Sequence, residues 1–142
     1  MIHIEHDAWD VILRHAIACY PRECCGILLG TVGGDDFRQV TKAIACRNAY
    51  EGDQSDRFEL DPKDQFEAQR LARKEALEVL GFFHSHPDED SYFSKTDLAN
   101  SWPWYSNIVI SIRNGEFRDA KAFRANEAQT ESTPENLQWQ TF

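Results

Sequence analysis

Apolar and polar residues recur along the chain with periods that predict both helices and strands. Between residues 6 and 19, apolar side chains return every three or four positions, which predicts an amphipathic helix that ends before Pro21. The face expected to be buried carries Ala8, Val11, Ile12, His15 and Cys19. Residues 25–32 form an apolar run without alternation, as is typical of a strand that is covered on both faces.

A hairpin and a second helix are expected after this strand. Turn residues at 33–36 precede a returning strand over 37–46, and a polar loop spans 48–56 before a short strand at 57–60. Asp61 and Pro62 fit the N-cap and the first position of a helix that extends to residues 76–78. The apolar stripe through which it should pack consists of Ala68, Leu71, Ala72, Ala76 and Val79.

The second half of the chain predicts further strands and a short helix. Residues 79–83 form a strand that leads into His-Ser-His-Pro, where Pro87 should make the chain turn away from the sheet. A short helix is expected over 94–100, and a hairpin over 107–112 and 116–124.

The interleaving of helices and strands predicts one α/β domain, with a mixed β-sheet flanked by helices, over residues 1–126. Residues 127–142 are expected to form a polar, loosely held C-terminal tail, in which Trp139 and Phe142 could dock.

Composition narrows the range of functions. The chain of 142 residues carries 15 Lys and Arg against 24 Asp and Glu, a net charge of −9, which argues against nucleic-acid binding. No apolar run approaches the ~20 residues that cross a bilayer, and no signal peptide is visible, so we expect a cytoplasmic protein with no membrane partner. The four cysteines are expected to be free thiols in apolar surroundings: Cys19, Cys24, Cys25 and Cys46.

Candidate chemistry is concentrated after the strand at 79–83. His84 and His86 stand two positions apart, so both imidazoles should project from the same side of the chain. Asp97, one turn into the predicted short helix, could bring a carboxylate to the same point. Two imidazoles and a carboxylate are typical ligands of a catalytic zinc ion. Taken singly, these residues also fit a polar strand face and a helix-capping box formed by Ser94 and Asp97.

The joint pattern is more specific than its parts. The sequence His-x-His-Pro-x6-Ser-x2-Asp at residues 84–97 resembles the JAMM motif of the MPN-domain metalloproteases, and residues 21–30 resemble the first motif block of that family. This resemblance implies a cytidine-deaminase-like α/β fold and one zinc ion per chain, bound by the two histidines and Asp97. It also implies that Glu23 is the general acid/base and that Ser94 steadies the oxyanion.

The short chain is similar to the small stand-alone prokaryotic members of this family. The similarity implies a zinc-dependent peptidase or isopeptidase that cleaves after the C-terminal Gly-Gly of a ubiquitin-like, sulfur-carrier-type protein and releases an amino acid or trailing residues. Tyr92, Phe93 and Trp102 are expected to contact that substrate. Two alternatives stay open, an isopeptidase that removes ubiquitin-like modifiers from protein lysines and a non-catalytic MPN scaffold, and so does a homodimer.

Two other enzyme classes fit the sequence less well. A zinc nucleobase deaminase needs His-x-Glu and Pro-Cys-x-x-Cys motifs, which this chain lacks. A thiol hydrolase would pair Cys24 or Cys25 with His84, but Cys25 begins an apolar strand and should be buried. Chelation separates the classes, because it should abolish the activity of a JAMM enzyme and spare a thiol enzyme.

Overall fold

The computed structural model describes all 142 residues, most of which lie in eight strands and three helices. The elements are β1 (Ile2–Ile4), α1 (His6–Cys19), β2 (Cys25–Val32), β3 (Arg38–Cys46), α2 (Pro62–Lys74), β4 (Glu78–Pro87), α3 (Lys95–Ala99), β5 (Ser106–Arg113), β6 (Glu116–Ala125), β7 (Ser132–Glu135) and β8 (Leu137–Trp139). The helices and hairpins expected from the sequence are present, with ends that differ by a few residues. None of the helices has the length and apolar character that a transmembrane span requires.

All eight strands form one mixed sheet in the order β7-β6-β5-β4-β2-β3-β1-β8. β1 runs parallel to β3 and β8, and β4 runs parallel to β5, while the other neighbours are antiparallel. Helix α1 packs on one face of the sheet and α2 on the other, so each face has its own apolar core. The predicted α/β domain with a mixed sheet flanked by helices is therefore confirmed.

The central strand β2 is covered on both faces, as its unbroken apolar pattern predicts. Leu28 belongs to the core under α1, whereas Ile27 and Leu29 belong to the core under α2. Full burial of such a side chain stabilises the fold by about 1.5–3 kcal/mol. Because Cys25 pairs with His84, the beginning of β2 lies beside the second half of β4.

Helix α2 begins as the sequence predicts and ends earlier. Asp61 caps it by accepting a hydrogen bond of 2.9 Å from the Lys63 amide, with Pro62 in the first turn. The helix stops at Lys74 instead of residues 76–78, because Ala76 adopts a φ of 55°, in the left-handed region that ends helices. Ala76 is consequently exposed, outside the packed stripe.

Two local expectations are wrong. On α1, Val11 is 37% exposed, and the buried side of the helix consists of Ala8, Trp9, Ile12 and Ala16. Residues 57–60 do not form a strand, since Leu60 makes only an isolated bridge to Asn48. A segment with so few apolar residues, such as 57–60, is compatible both with a short strand and with a loop that packs against the core.

The strand β4 continues through both histidines to Pro87, which pairs with Ile112 of β5. The expectation that Pro87 makes the chain leave the sheet is therefore wrong. The pairing with β2 ends at His84, so beyond that residue β4 has only β5 as a neighbour. The next residue, Asp88, donates its amide to the Ile112 carbonyl at 2.7 Å, and the proline nitrogen therefore points to the unpaired side.

The C-terminal residues are not loosely held as expected. β7 pairs with β6 at one edge of the sheet, and β8 pairs with β1 at the other. Trp139 stacks on Trp9 of α1 with ring centroids 4.6 Å apart, while Phe142 is fully exposed. The segment is therefore part of the sheet, and of the two aromatic residues only Trp139 docks.

A polar group around the buried Arg38, which we call the arginine cluster, joins β3, β4, β5, β6 and β7. It consists of Asp36, Arg38, Ser106, Arg124 and Glu135. The Arg38 side chain has no exposed surface, donates to the Leu80 carbonyl at 3.1 Å and lies 4.0 Å from the centre of the Trp104 ring. The sequence did not predict this cluster, because its members are far apart along the chain.

Candidate active site

The end of β4 presents two imidazoles at one point. His84 and His86 are both 3% exposed, and their Nε2 atoms are 3.3 Å apart. Ser85, between them, takes the opposite side of the strand and accepts a hydrogen bond of 2.8 Å from the Cys24 amide. The alternation of side chains along a strand therefore brings the histidines together, as predicted.

Helix α3 brings Asp97 to the same point. Its Oδ2 atom is 3.1 Å from His84 Nε2 and 3.2 Å from His86 Nε2. The ligand atoms of the three side chains lie within 4.8 Å of one another. Asp97 also completes a capping box, because its Oδ2 accepts the Ser94 amide at 3.0 Å. The capping interpretation and the ligand interpretation thus describe the same carboxylate.

The electrostatics of this cluster favour a bound cation. Burial alone would raise the pKa of Asp97, but the neighbouring His84 and the hydrogen bonds from both histidines hold that pKa well below its usual range. Burial likewise works to lower the pKa of His86, yet its hydrogen bonds with Asp97 and the Asp90 carbonyl raise it. The carboxylate therefore stays ionised, and positive charge is stabilised beside it.

The donor atoms fit a zinc ion. The Asp90 carbonyl can only accept, so its 2.9 Å contact places a hydrogen on His86 Nδ1 and directs Nε2 toward Asp97. Two imidazole nitrogens and one carboxylate oxygen are then directed to a common centre, a ligand set typical of catalytic zinc. His84 and Asp97 also line a cleft of about 420 Å³, which leaves one side of the centre accessible.

Glu23 lines the same cleft, just before β2. It is 4% exposed, and burial raises the pKa of its carboxyl group to about 8. The backbone fixes its place, because the Glu23 amide donates to the Gln54 carbonyl at 2.6 Å and its carbonyl accepts from the Asn48 side chain at 3.2 Å. A buried carboxyl group with a raised pKa in a cleft is typical of a general acid/base.

Ser94 is the N-cap of α3. Its hydroxyl oxygen accepts the Asp97 amide at 3.0 Å, which completes the capping box. A hydroxyl group that accepts one hydrogen bond still carries a hydrogen that it can donate. The fold therefore holds Ser94 within one helical turn of a candidate metal ligand, with its donor capacity free.

The three residues expected at the substrate have different surroundings. Trp102 is 67% exposed and lines the cleft. Tyr92 is 49% exposed, with its ring edge-on to His86 at a centroid distance of 5.0 Å. Phe93 stacks on Phe123 at 5.3 Å, in a position that supports the loop.

One aromatic neighbour of the site, Phe58, was not predicted from the sequence. The Phe58 ring stacks on the His84 imidazole at a centroid distance of 4.6 Å and lines the cleft. It lies in the loop between β3 and α2, and no spacing in the sequence connects it to the histidines. Phe58 thus covers one face of the His84 ring, whose Nε2 atom lies close to His86 and Asp97.

The cysteines do not form a nucleophilic site. All four are free, and Cys24, Cys25 and Cys46 are buried. Burial raises the pKa of the Cys24 thiol to about 12 and that of Cys25 higher still. Thiols with such pKa values hold almost no thiolate at neutral pH, which argues against a thiol hydrolase.

Comparison with protein families gives one match that covers most of the chain. The family is described as prokaryotic homologs of the JAB domain, and it matches residues 5–126. The matched range includes Glu23, both histidines, Ser94 and Asp97.

Three curated proteins illustrate the similarity. The desampylase of Haloferax volcanii is 34% identical over 110 residues, which are 74% of this chain and 76% of that protein. The CysO-cysteine peptidase of Mycobacterium tuberculosis is 28% identical over 136 residues, 94% of this chain and 89% of that protein. The tail tip assembly protein K of Escherichia phage N15 is 31% identical over 113 residues, 77% of this chain, and this match spans only 40% of the phage protein.

Solved structures show the same architecture. A Desulfitobacterium hafniense protein superposes with a TM-score of 0.85 and 27% identity, covering 99% of this chain and 93% of that chain. A JAB1/MPN domain protein from Archaeoglobus fulgidus gives a TM-score of 0.58 at 18% identity, with coverage of 99% and 97%, and shows the fold alone.

Proposed function

Since the chain belongs to the family of prokaryotic JAB-domain homologues and is a JAMM-type hydrolase, we propose that it is a zinc-dependent peptidase acting on a ubiquitin-like protein. Family membership confirms the resemblance drawn from the sequence motifs. The proposed reaction hydrolyses the bond after the C-terminal Gly-Gly of a sulfur-carrier-type protein and releases an amino acid or trailing residues. The observation that carries the proposal is the meeting of His84, His86 and Asp97 beside Glu23 at one cleft.

Each side chain has a defined task in this reaction. His84, His86 and Asp97 would hold the zinc ion, which when bound supplies Lewis acidity and lowers the pKa of water toward ~7. Glu23 would take a proton from the attacking water and deliver it to the leaving amine. A cation at the centre favours the ionised Glu23 carboxylate, against the burial that raises its pKa.

Ser94 would act on the scissile carbonyl. A hydroxyl group that donates to the developing oxyanion stabilises the transition state more than the bound substrate. The capping bond with the Asp97 amide holds the Ser94 oxygen in place without using its hydrogen. The cap therefore supports the proposed oxyanion role.

The shape of the cleft supports an extended tail as substrate. Phe82 and Gln65 line both the cleft and a neighbouring groove of about 320 Å³, which continues between α2 and Tyr105. A substrate tail lying along this path could follow β4 to His84, His86 and Asp97. Glycines in the tail would let its backbone approach these residues without side-chain clashes. Trp102 forms one wall of the cleft, whose other lining residues include the acidic Asp56 and Glu59 and the basic Arg57, so acidic groups outnumber basic ones. We therefore expect carriers with basic residues near the tail to bind better.

An isopeptidase activity is the second candidate. It is supported by the 34% identity to the Haloferax volcanii desampylase. The same groups would serve both reactions, because a lysine amine and the amine of a terminal residue are both leaving groups that need a proton. A non-catalytic scaffold is disfavoured, because the ligand set and Glu23 are all present.

The test compares tails on one carrier protein. A carrier ending in Gly-Gly-Xaa, the same carrier ending in Ala-Ala-Xaa, and a conjugate through a lysine side chain are incubated with the zinc-loaded protein and with its Glu23→Gln variant. We expect cleavage of the glycine tail, with the alanine tail cleaved at least tenfold more slowly, and no reaction with the variant. Equal cleavage of both tails would contradict the glycine-tail substrate, and preference for the lysine conjugate would favour the isopeptidase. High salt should weaken carrier binding, and indifference to salt would remove only the electrostatic part.

A further inference from the structure

Three paired residues on neighbouring strands hold the loop that follows His86. The register of the sheet pairs His86 of β4 with Ser111 of β5, and Ser111 with Asp119 of β6. Residues paired in this way point to the same face of a sheet, so the three side chains form a row. We call them the loop-holding row.

Each member of the loop-holding row contacts a different residue of loop 88–91. His86 Nδ1 donates to the Asp90 carbonyl at 2.9 Å, and Ser111 Oγ donates to the Glu89 carbonyl. Asp119 accepts a hydrogen bond of 2.7 Å from Ser91 Oγ. The loop thus lies across three strands and is held at three consecutive residues.

The entrance of the loop is also fixed. The Asp88 carboxylate accepts the Tyr20 hydroxyl at 2.7 Å and the Asn114 amide at 2.9 Å. Asp88 itself adopts a φ of 58°, so the chain reverses there in a conformation that these contacts maintain. The position of the Asp90 carbonyl therefore follows from contacts on either side of it.

That carbonyl decides which nitrogen of His86 is free. A carbonyl only accepts hydrogen bonds, so the ring carries a hydrogen on Nδ1, and in the neutral ring the lone pair of Nε2 is left for a metal ion. We propose that Ser111 and the Ser91–Asp119 pair are positioning residues that set the tautomer and orientation of His86 for zinc. This inference rests on the zinc site of the proposed function.

The burial of the serines supports the proposal. Ser111 has no exposed surface, and Ser91 is 1% exposed. The Ser111 hydroxyl donates to the Glu89 carbonyl and the Ser91 hydroxyl donates to Asp119, so alanine at either position would remove a hydrogen bond that holds the loop. By contrast, the Asp90 side chain is 85% exposed and makes only a surface ion pair with Arg113 at 3.1 Å, of a kind that contributes little, while its backbone carbonyl contacts His86.

The experiment uses Ser111→Ala, Ser91→Ala and the matched control Asp90→Ala, which changes a side chain and keeps the carbonyl. Zinc dissociation constants are measured by competition with a chromophoric chelator, and the unfolding of each zinc-free variant is recorded. Loss of groups that orient metal-bound histidines typically weakens metal binding 10–100-fold. We expect that loss in both serine variants and less than a twofold change in the control.

A second readout does not require zinc. Nitrogen-15 NMR of the zinc-free protein, at a pH where both imidazoles are neutral, should show the Nδ1–H tautomer of His86 in wild type and Asp90→Ala. In the serine variants a mixture of tautomers is expected. A merely structural role of the serines would lower the stability of the zinc-free protein and leave tautomer and zinc affinity unchanged.

The outcomes separate this inference from the zinc site itself. If the wild-type protein does not bind zinc, both the zinc site and the positioning role are overturned. Wild type that binds zinc, with serine variants that bind it equally tightly and keep the tautomer, would overturn the positioning role alone. Should Ser111→Ala fail to fold, Ser91→Ala decides between these outcomes, because it removes a separate hydrogen bond, to Asp119, that holds the same loop.

Discussion

Two polar clusters contact β4, and they balance their charges in opposite ways. In the arginine cluster, Arg124 contacts Asp36 and Glu135 at 2.6 Å each, and Arg38 contacts Asp36 at 3.2 Å, so positive and negative groups alternate. The second cluster consists of His84, His86 and Asp97, and we call it the candidate metal cluster. In it, one carboxylate faces two imidazole nitrogens that are 3.3 Å apart. The first cluster supplies its own counter-charges, whereas the second directs three lone pairs at one centre and gains from an added cation.

The difference separates a structural group from a functional one. Ion pairs that are balanced within the chain join elements, and the arginine cluster connects five strands of the sheet in this way. Groups that converge without a counter-charge in a cleft are typical of binding and catalytic sites. Substitutions in the arginine cluster should therefore lower the stability of the fold. Substitutions of His84, His86 or Asp97 should remove metal binding and activity.

The largest effect is expected from Glu23→Gln. The amide keeps the size of the side chain but cannot carry a proton, and general acid–base catalysis is typically worth ~10²–10⁴ in rate. We expect hydrolysis to fall by at least that factor while zinc content and fold are retained. Carrier cleavage and zinc content are measured on one preparation, and turnover within about twofold of wild type would assign the proton transfer to another group.

Ser94→Ala sharpens the comparison, because Ser94 is both a helix cap and the proposed oxyanion donor. Loss of such a donor typically lowers turnover ~10²–10³-fold with little change in substrate binding. Loss of a cap alone would cost ~1 kcal/mol of stability and leave turnover almost intact. Turnover and thermal unfolding of the same variant distinguish the two roles. A threonine at this position is the matched control, since it keeps the hydroxyl group.

Arg38→Met tests the structural cluster. Methionine fills much of the volume of arginine but leaves the Leu80 carbonyl and the Trp104 ring without their cationic partner. Hydrogen bonds to charged groups contribute about 1.5–3 kcal/mol, so unfolding in urea should require correspondingly less denaturant. Zinc content per folded chain should stay at the wild-type value. A variant that loses zinc while remaining folded would mean that the two clusters are coupled.

The smallest effect concerns the pH dependence of the zinc-free protein. Burial raises the pKa of Glu23 to about 8 in the folded chain, above its ordinary value of 4.5, so the folded state keeps a proton that the unfolded state releases. The stabilising contribution is complete below about pH 4.5 and is lost as the pH rises through about 8. Between pH 6 and 7, wild type should lose ~1.4 kcal/mol relative to Glu23→Gln. A stability difference that stays constant over this interval would contradict the raised pKa.

Local patterns predicted the elements whose own residues decide their structure. The apolar run of β2 and the Asp61–Pro62 helix start belong to this class, and so does the Asn114–Gly115 turn, where both residues have positive φ. The strands β7 and β8 were missed, because they are short polar segments that the edges of an existing sheet hold in place. Strand propensity depends on such neighbours more than on the segment itself.

The meeting of the proposed metal ligands was predictable because their spacing is local. His84 and His86 share one strand face, and Asp97 lies at the start of the next helix. Phe58 and Ser111 were not predictable, since only the register of the sheet and the course of a long loop bring them to the histidines. The arginine cluster was missed for the same reason: its partners, among them Asp36 and Glu135, are separated by about a hundred residues.

The most direct test of the metal site is the zinc content of four proteins purified without chelator. Elemental analysis is carried out on wild type, His84→Ala and Asp97→Ala, with Arg38→Met as the control for a general loss of folding. We predict one zinc ion per chain in wild type and in folded Arg38→Met, and essentially none in His84→Ala and Asp97→Ala. Full zinc occupancy in both ligand variants would contradict the central claim that these side chains form the metal site.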